Sequence, residues 1–288
     1  MFRFFALVFV SVLTASALPM KIACVGDSIT EGGNLANPAV ESYPARLQKL
    51  LGTNNFTVRN FGVSGRTLLK QGDFPYWTDP AFAASKNFAP DIVIIQLGTN
   101  DGKPYNWKYG TNFVANYKEL IAIYQALPSA PRVFLCSPCP VFGAGSFNID
   151  PGTVRTNIAP TVRGLAAELS LPLIDLQARM TNAVWFPDTV HPDTKGMMAM
   201  TAVMHEGLFP TGSEVPPTLE FRRLSASSVV LSWPQRWGSF YPQYATLLKD
   251  TNMIWIMIES TPPIGDGTTI RQTNVAGGPL RIYQLRRP

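Results

Sequence analysis

The chain has 288 residues, which is enough for one large domain or for a domain with a smaller appendage. Apolar side chains make up 46% of it and charged side chains 15%, a balance that excludes an intrinsically disordered chain. The net charge of +5 is mild, and no basic segment is interleaved with aromatic residues, so we expect no nucleic-acid partner.

The first 17 residues are predicted to form a signal peptide. Arg3 precedes an apolar run over 4–13, and the Ala-Ser-Ala at 15–17 has the form that signal peptidase cleaves, so cleavage is expected after Ala17. The alternative is a buried N-terminal strand, which Pro19 would interrupt. A run of about ten residues is shorter than the roughly 20 that span a membrane. We therefore expect a secreted or periplasmic protein without a membrane span.

Short apolar runs alternate with helical patterns through the first two hundred residues. Turn residues bound each run, as expected for strands buried on both faces of a parallel sheet. The clearest helical stripe begins at Phe113, includes Val114 and ends at Tyr124, with Asn112 as its N-cap, and a last helix is expected over 194–208. This alternation predicts an α/β fold in which helices cover both faces of the sheet. The predicted strands are 21–26, 56–61, 91–97, 132–137 and 173–176.

Polar residues follow the carboxyl ends of these strands. Ser28 follows the first strand, Gly65 the second and Asn100 the third, while Asp188 and His191 come after the last strand and its helix. The carboxyl ends of parallel strands meet at one rim of the sheet. A serine hydroxyl becomes a nucleophile when an imidazole takes its proton and a carboxylate orients that imidazole. The sequence therefore predicts a Ser-His-Asp site at this rim.

Four sequence blocks, covering about residues 20–208, resemble those of the SGNH, or GDSL-type, hydrolases and occur in the same order. The resemblance implies a three-layer, flavodoxin-like α/β hydrolase domain. The blocks are Gly26-Asp27-Ser28-Ile29, Gly62-Val63-Ser64-Gly65, Gly98-Thr99-Asn100-Asp101 and Asp188-x-x-His191.

By this resemblance Ser28 is the nucleophile, His191 the general base and acid, and Asp188 the residue that orients the histidine. The oxyanion hole would comprise the N–H groups of Ser28 and Gly65 and the side-chain amide of Asn100, which suits a tetrahedral intermediate. Taken singly, Ser28 could cap a helix, Asn100 could be a turn residue and Gly65 could serve only a positive φ. If all of these alternatives held, residues of the types needed for serine catalysis would have come together on one rim of the sheet by chance.

The segments 100–107 and 136–141 resemble the sialate O-acetylesterase-like branch of secreted carbohydrate esterases. This predicts a secreted serine esterase that removes short acyl groups, most simply acetyl, from a carbohydrate through an acyl-enzyme intermediate. Tyr105 and Trp107 are candidate substrate-binding residues whose rings either stack on a sugar or pack beneath their loop. The alternatives are a short-chain esterase or thioesterase without sugar preference and a non-catalytic carbohydrate-binding protein. The expected partner is an acylated carbohydrate or small ester, and the oligomeric state stays open.

Three cysteines are too few for a disulfide framework. Cys136 and Cys139 could be a redox pair, zinc ligands, or small buried residues with an optional local bridge. Zinc would require further ligands, and the chain has two histidines, of which His205 is expected at the surface or edge of the last helix. We therefore expect no metal and no cofactor.

The composition changes after residue 209. Proline, glycine and serine over 210–217 predict a linker, and 218–288 predicts a small all-β module that resembles fibronectin-III-like modules. Trp233 and Trp255 are expected in its core and Trp237 in an open loop. The predicted organisation is a signal peptide (1–17), an SGNH hydrolase domain (18–209), the linker and the module. The predicted strands of the module are 228–233, 244–249, 252–259 and 280–285.

Overall fold

The computed structural model describes residues 19–53 and 56–210, and beyond them the backbone of seven strands. The predicted signal peptide, linker positions 211–217 and Trp237 lie outside this part of the chain, as do the side chains of Trp233 and Trp255. The seven strands are β6 (Glu220–Ser225), β7 (Ser228–Pro234), β8 (Tyr241–Thr246), β9 (Trp255–Met257), β10 (Ile264–Gly265), β11 (Thr269–Val275) and β12 (Arg281–Arg286).

Five parallel strands form the central sheet. In chain order they are β1 (Met20–Gly26), β2 (Phe56–Gly62), β3 (Ile92–Gln96), β4 (Arg132–Cys136) and β5 (Leu173–Ile174). Their order across the sheet is β2, β1, β3, β4, β5. Each strand overlaps one of the predicted strands, so the prediction of a parallel α/β sheet is confirmed.

Helices connect the strands, and the last helix has the predicted bounds. The α-helices are α1 (Ser28–Glu31), α2 (Pro38–Glu41), α3 (Tyr43–Leu51), α4 (Pro80–Asn87), α5 (Pro104–Trp107), α6 (Phe113–Gln125), α7 (Pro151–Thr153), α8 (Ala159–Glu168), α9 (Leu176–Arg179) and α10 (Thr194–Leu208). Short 3-10 turns occur at Tyr76–Thr78, Asn100–Gly102, Gly110–Asn112 and Ala183–Trp185, and a π-helical turn at Val154–Ile158. Among the described residues, no helix has the length and apolarity needed to cross a bilayer.

The core has two halves, one on each face of the sheet. Successive side chains of a strand point to opposite faces. Ala23 and Val25 of β1 therefore pack in one half, with apolar residues of α6 and α8. Ile22 and Cys24 pack in the other half, with α3 and α10. This arrangement gives three layers, and β1 is buried from Ile22 onward because helices cover it on both sides.

Strand β2 is an edge strand, so the prediction that it is buried on both faces was wrong. Arg59 and Asn60 are exposed. At the end of a sheet the covering layers are incomplete, and polar side chains there keep contact with water. The fifth predicted strand was also too long. It ends at Ile174, because the Asp175 side chain accepts a hydrogen bond from the Ala178 N–H and begins α9 at Leu176.

Asn112 does not cap α6, contrary to the sequence prediction. It belongs to the preceding 3-10 turn and has a helical backbone (φ −87°, ψ −9°), without a side-chain capping bond. The turn runs directly into the helix, so no extended residue precedes α6 for a cap to occupy. Val114 is 39% exposed and lies outside the buried stripe. That stripe comprises Phe113, Tyr117, Leu120, Ile121 and Tyr124.

The described strands after residue 210 pair in antiparallel fashion. One group has the order β10, β11, β7, β6 and the other the order β12, β8, β9. Strands β7, β8, β9 and β12 overlap the four predicted strands, whereas β6, β10 and β11 were not predicted.

Candidate active site

The register of the sheet brings the candidate residues to one rim. Gly26, the last residue of β1, pairs with Gly62 of β2 and with Gln96 of β3. The three strands therefore end at the same level. The segments that carry Ser28, Gly65 and Asn100 leave the sheet side by side.

Ser28 is the first residue of α1, which follows β1 after a single intervening residue. That residue, Asp27, is the N-cap, and its side chain accepts a hydrogen bond from the Ile29 N–H at 3.0 Å. The capping role considered for Ser28 therefore belongs to Asp27. Burial raises the pKa of the Asp27 carboxyl to about 6, although the Ile29 hydrogen bond opposes the shift. Ser28 is 9% exposed, so its hydroxyl meets solvent only at the rim.

Ser28, His191 and Asp188 form a continuous hydrogen-bonded row. The Ser28 Oγ lies 2.7 Å from the His191 Nε2, and the His191 Nδ1 lies 2.7 Å from the Asp188 Oδ2. His191 is buried. The structure thus brings together all three residues predicted for the catalytic row, with Ser28 at one ring nitrogen of the histidine and Asp188 at the other.

The spacing of Asp188 and His191 is explained by a local turn. The Asp188 Oδ1 accepts hydrogen bonds from the N–H groups of Val190 at 3.0 Å and His191 at 2.7 Å. Thr189 between them has a left-handed backbone, with φ +72°. Burial tends to raise the pKa of the Asp188 carboxyl, but these two amides and the imidazole outweigh it and hold the pKa below its ordinary value. Asp188 therefore stays ionised beside the imidazole.

Asn34 joins this row, which the sequence did not predict. Its Nδ2 donates a hydrogen bond to the Asp188 Oδ2 and lies 3.4 Å from the His191 Nδ1. Asn34 has a left-handed backbone, with φ +66°. The Gly-Gly-Asn sequence at 32–34 is a turn signal, and asparagine tolerates this conformation better than most residues. That signal predicts the turn but not its contact, since Asp188 lies 154 residues further along the chain.

The Asn100 side chain is held next to the loop that follows Gly65. Its Nδ2 donates one hydrogen bond to the Arg66 carbonyl oxygen at 3.2 Å, and an amide nitrogen carries a second N–H. Asn100 is 5% exposed. Gly65 has φ +78°, a conformation that glycine adopts without strain. These two of the three predicted oxyanion donors thus belong to adjoining segments.

Asp101 fastens the same loop and was missed as a positioning residue. Its carboxylate is fully buried and accepts hydrogen bonds from the N–H groups of Leu68 at 2.9 Å and Leu69 at 2.7 Å. Burial raises the pKa of Asp101 to about 7, although the two amides oppose the shift. An acidic residue after the third strand was visible in the sequence, but its partners were not.

We expect Asp101→Ala to lower the free energy of unfolding by about 2–6 kcal/mol, because two buried N–H groups lose their acceptors at about 1–3 kcal/mol each. Denaturant unfolding of the purified variant would measure the loss. Asp150→Ala is the matched control, since Asp150 accepts from two amides at the exposed start of α7. Its cost should be about 1 kcal/mol. An equal or smaller loss in Asp101→Ala would contradict this account of the loop.

The two candidate substrate-binding aromatics have different environments. Tyr105 is 45% exposed, and its hydroxyl donates to the Asp73 Oδ2 at 3.3 Å. Trp107 is partly buried and packs edge-on against Phe113, with ring centroids 5.5 Å apart. Of the two alternatives considered, Trp107 therefore fits packing beneath its loop, and Tyr105 remains open to a ligand.

The remaining thiol and imidazole groups are buried. Cys24, Cys136 and Cys139 are free thiols, and burial raises the pKa of Cys24 to about 12. His205 is 4% exposed, so its predicted surface position was wrong. It lies on the core face of α10, where its ring packs against Phe209 and burial lowers its pKa to about 4. Within the described residues, no group of three His, Cys, Asp or Glu side chains could hold a metal ion.

Comparison with known families gives a match over most of the sheet domain. Residues 24–199, more than half of the chain, match the model of the GDSL-like lipase/acylhydrolase family. An acetylxylan esterase of Xylanibacter ruminicola is 37% identical over 204 residues, which cover 64% of this chain. The match covers 42% of that relative, so this chain spans about two fifths of its length.

Solved structures have the same fold. An acetyl xylan esterase superposes with a TM-score of 0.52 at 21% identity, covering 64% of this chain and 98% of that one. A two-domain esterase active on acetylated mannans, co-crystallised with mannopentaose, superposes with a TM-score of 0.50 at 16% identity. That match covers 93% of this chain and 86% of the other. At these identities the similarity concerns the fold.

Proposed function

Because the chain belongs to the GDSL-like lipase/acylhydrolase family and is a carboxylic ester hydrolase, we propose that it removes acetyl groups from a carbohydrate by serine catalysis. The observation that carries this proposal is the hydrogen-bonded row from Ser28 through His191 to Asp188. A hydroxyl at 2.7 Å from an imidazole nitrogen, with a carboxylate on the other ring nitrogen, is the arrangement that activates a serine for acyl transfer.

In the proposed reaction, the Ser28 Oγ attacks the carbonyl carbon of the acetyl ester while the His191 Nε2 takes the hydroxyl proton. The carbonyl oxygen becomes an oxyanion in the tetrahedral intermediate. His191 then gives its proton to the leaving sugar oxygen as the ester C–O bond breaks, which leaves an acetyl-serine. Water, deprotonated by His191, attacks this ester, and His191 returns the proton to the Ser28 Oγ as the acyl C–O bond breaks and acetate leaves. Asp188 keeps the ring oriented and stabilises the imidazolium in both halves of the cycle.

The oxyanion requires hydrogen-bond donors that are already in place. We assign this role to the N–H groups of Ser28 and Gly65 and to the second N–H of the Asn100 amide. The Asn100–Arg66 bond supports the assignment, since it fixes the amide beside the Gly65 loop. Asn34 is assigned a positioning role, because its donation to the Asp188 carboxylate helps to fix the acid that orients His191.

A carbohydrate ester is proposed because of the relatives. An acetylxylan esterase is the 37% identical relative. We further propose that the protein is secreted after cleavage at Ala17, and that 210–217 links the hydrolase domain to a fibronectin-III-like module over 218–288. The leader-like sequence supports secretion, and the superposition of 93% of the chain on a two-domain esterase supports the second unit.

A substrate panel tests the proposed function. The purified mature protein would be assayed for acetate release from acetylated xylo-, manno- and gluco-oligosaccharides, and from ethyl and butyl acetate and an acetyl thioester. We expect kcat/KM for at least one acetylated oligosaccharide to exceed that for ethyl acetate by about tenfold or more. Contacts with the sugar that stabilise the transition state by about 1.4 kcal/mol raise kcat/KM tenfold. Equal values across the panel would instead identify a short-chain esterase or thioesterase without sugar preference. No acetate release from any ester would contradict the catalytic assignment.

A further inference from the structure

The loop after β4, residues 142–150, is fastened to both catalytic segments. At one end the Phe142 N–H donates to the Thr189 carbonyl oxygen at 2.9 Å, and the Thr189 hydroxyl donates to the Ser146 Oγ at 3.2 Å. At the other end the Asp150 N–H donates to the Gly102 carbonyl oxygen at 3.0 Å. Thr189 lies between Asp188 and His191, and Gly102 lies two residues after Asn100. The loop therefore bridges the histidine segment and the asparagine segment.

The tip of this loop has an unfavourable backbone that presents an aromatic ring to solvent. Phe147 and Asn148 both have left-handed conformations, with φ +57° and +61°. For a residue with a Cβ this conformation costs about 1–2 kcal/mol, and such positions cluster at functional sites. Phe147 is nevertheless 54% exposed. Its ring centroid lies 5.2 Å from that of His191, with the planes at 71°. Strain at an exposed phenylalanine is thus found directly beside the general base.

Phe147 lines a shallow depression opposite Tyr105. The other residues that line it are Pro104, Ala144, Gly145, Asn148, Ile149 and Asp150. The hydroxyl of Tyr105 donates to the Asp73 Oδ2 at 3.3 Å, and this bond orients its ring. A pyranose ring has apolar C–H faces and a rim of hydroxyl groups, and this depression offers aromatic faces together with amide and carboxylate groups. Since Phe147 contacts His191, a ring in the depression would lie next to the reacting ester.

We propose that this depression is the subsite for the sugar ring next to the ester, and that Phe147 determines the preference for carbohydrate esters. The inference rests on the proposed function and names the part of the protein that recognises the sugar. Tyr105, already a candidate substrate-binding residue, supplies the opposite wall. Phe147 itself was not a candidate in the sequence, where it stands in a Gly- and Ser-containing loop.

Phe147→Ala tests the proposal through two readouts. The first is kcat/KM on the best acetylated oligosaccharide relative to kcat/KM on ethyl acetate, which has no ring. The second is competitive inhibition of ethyl acetate hydrolysis by the corresponding unacetylated oligosaccharide. We expect the substrate ratio to fall about tenfold, mainly through KM, and the inhibition constant to rise about tenfold, because a stacking contact is lost. Phe147→Trp should preserve both values, and Phe147→Leu, which keeps apolar volume without a ring, should resemble the alanine variant.

Val40→Ala is the matched control, since Val40 is 58% exposed on α2 and does not line the depression. It should leave both readouts unchanged, and thermal melts would verify that all variants fold. Equal losses on the oligosaccharide and ethyl acetate in Phe147→Ala would overturn the subsite, because the ring would then act on His191 alone. Unchanged inhibition by the oligosaccharide would also overturn it. If the proposed function itself were wrong, the wild-type enzyme would already show no preference for the acetylated sugar over ethyl acetate, so the two failures can be distinguished.

Discussion

Replacing Ser28 with alanine should lower kcat on an acetate ester by about 10⁴–10⁶-fold while the protein stays folded, because the members of a catalytic triad act as a unit. The hydroxyl that His191 would activate at 2.7 Å is gone, so no acyl-serine can form. The loss of one Oγ at a rim position should change thermal stability little. Steady-state kinetics with a sensitive chromogenic acetate ester would measure the effect. The variant should also fail to take up a serine-directed phosphonate, detected as a mass increase.

Ser64→Ala is the control for this experiment. Ser64 stands one residue before Gly65 on the same rim, but its hydroxyl donates to the Glu31 carboxylate. It should keep most of the wild-type turnover and should still be labelled on the peptide that contains Ser28. If Ser28→Ala retained more than a tenth of wild-type turnover, or if the label were found elsewhere, the nucleophile would be misassigned.

The second large effect is expected from Asn100→Ala, which should lower kcat by about 10²–10³-fold and change KM little. The hydrogen bond from the Asn100 amide strengthens as charge develops on the carbonyl oxygen, so its loss affects the transition state more than the bound ester. The dissociation constant of a tetrahedral boronate analogue should rise by about the same factor by which kcat falls. The dissociation constant of product acetate should barely change. Steady-state kinetics and inhibition constants provide both measurements.

Asn116→Ala separates this role from simple loop anchoring. Asn116 is also a buried asparagine, 8% exposed, and its Oδ1 accepts from the Lys70 N–H at 3.0 Å, so it holds the end of the same loop. Its replacement removes an anchor but no oxyanion donor, and kcat should fall much less. Comparable losses in the two variants, or a defect confined to KM in Asn100→Ala, would mean that Asn100 only shapes the pocket.

The layout of the sheet domain follows from the pattern of residue types along the chain. Apolar runs alternating with helical stripes imply parallel strands, and the carboxyl ends of parallel strands share one edge. Hence Ser28, Asn100 and His191 could be assigned to one site from their positions after strands. The last helix was likewise predicted at Thr194–Leu208, and the structure shows that Asp193 caps it, since its side chain accepts a hydrogen bond from the Gly196 N–H.

The side chains that support that site were visible only once the loops had been placed in three dimensions. Asn34 contacts Asp188 across 154 residues, and Asp101 accepts from amides 32 and 33 residues away. No periodic pattern in the sequence predicts either contact, because hydrogen bonds between distant loops depend on how the fold places those loops relative to each other. Burial was similarly undetermined for His205, whose helix face was set by packing against the sheet. The sequence reports which residues are near a strand end, and loop geometry decides which of them touch.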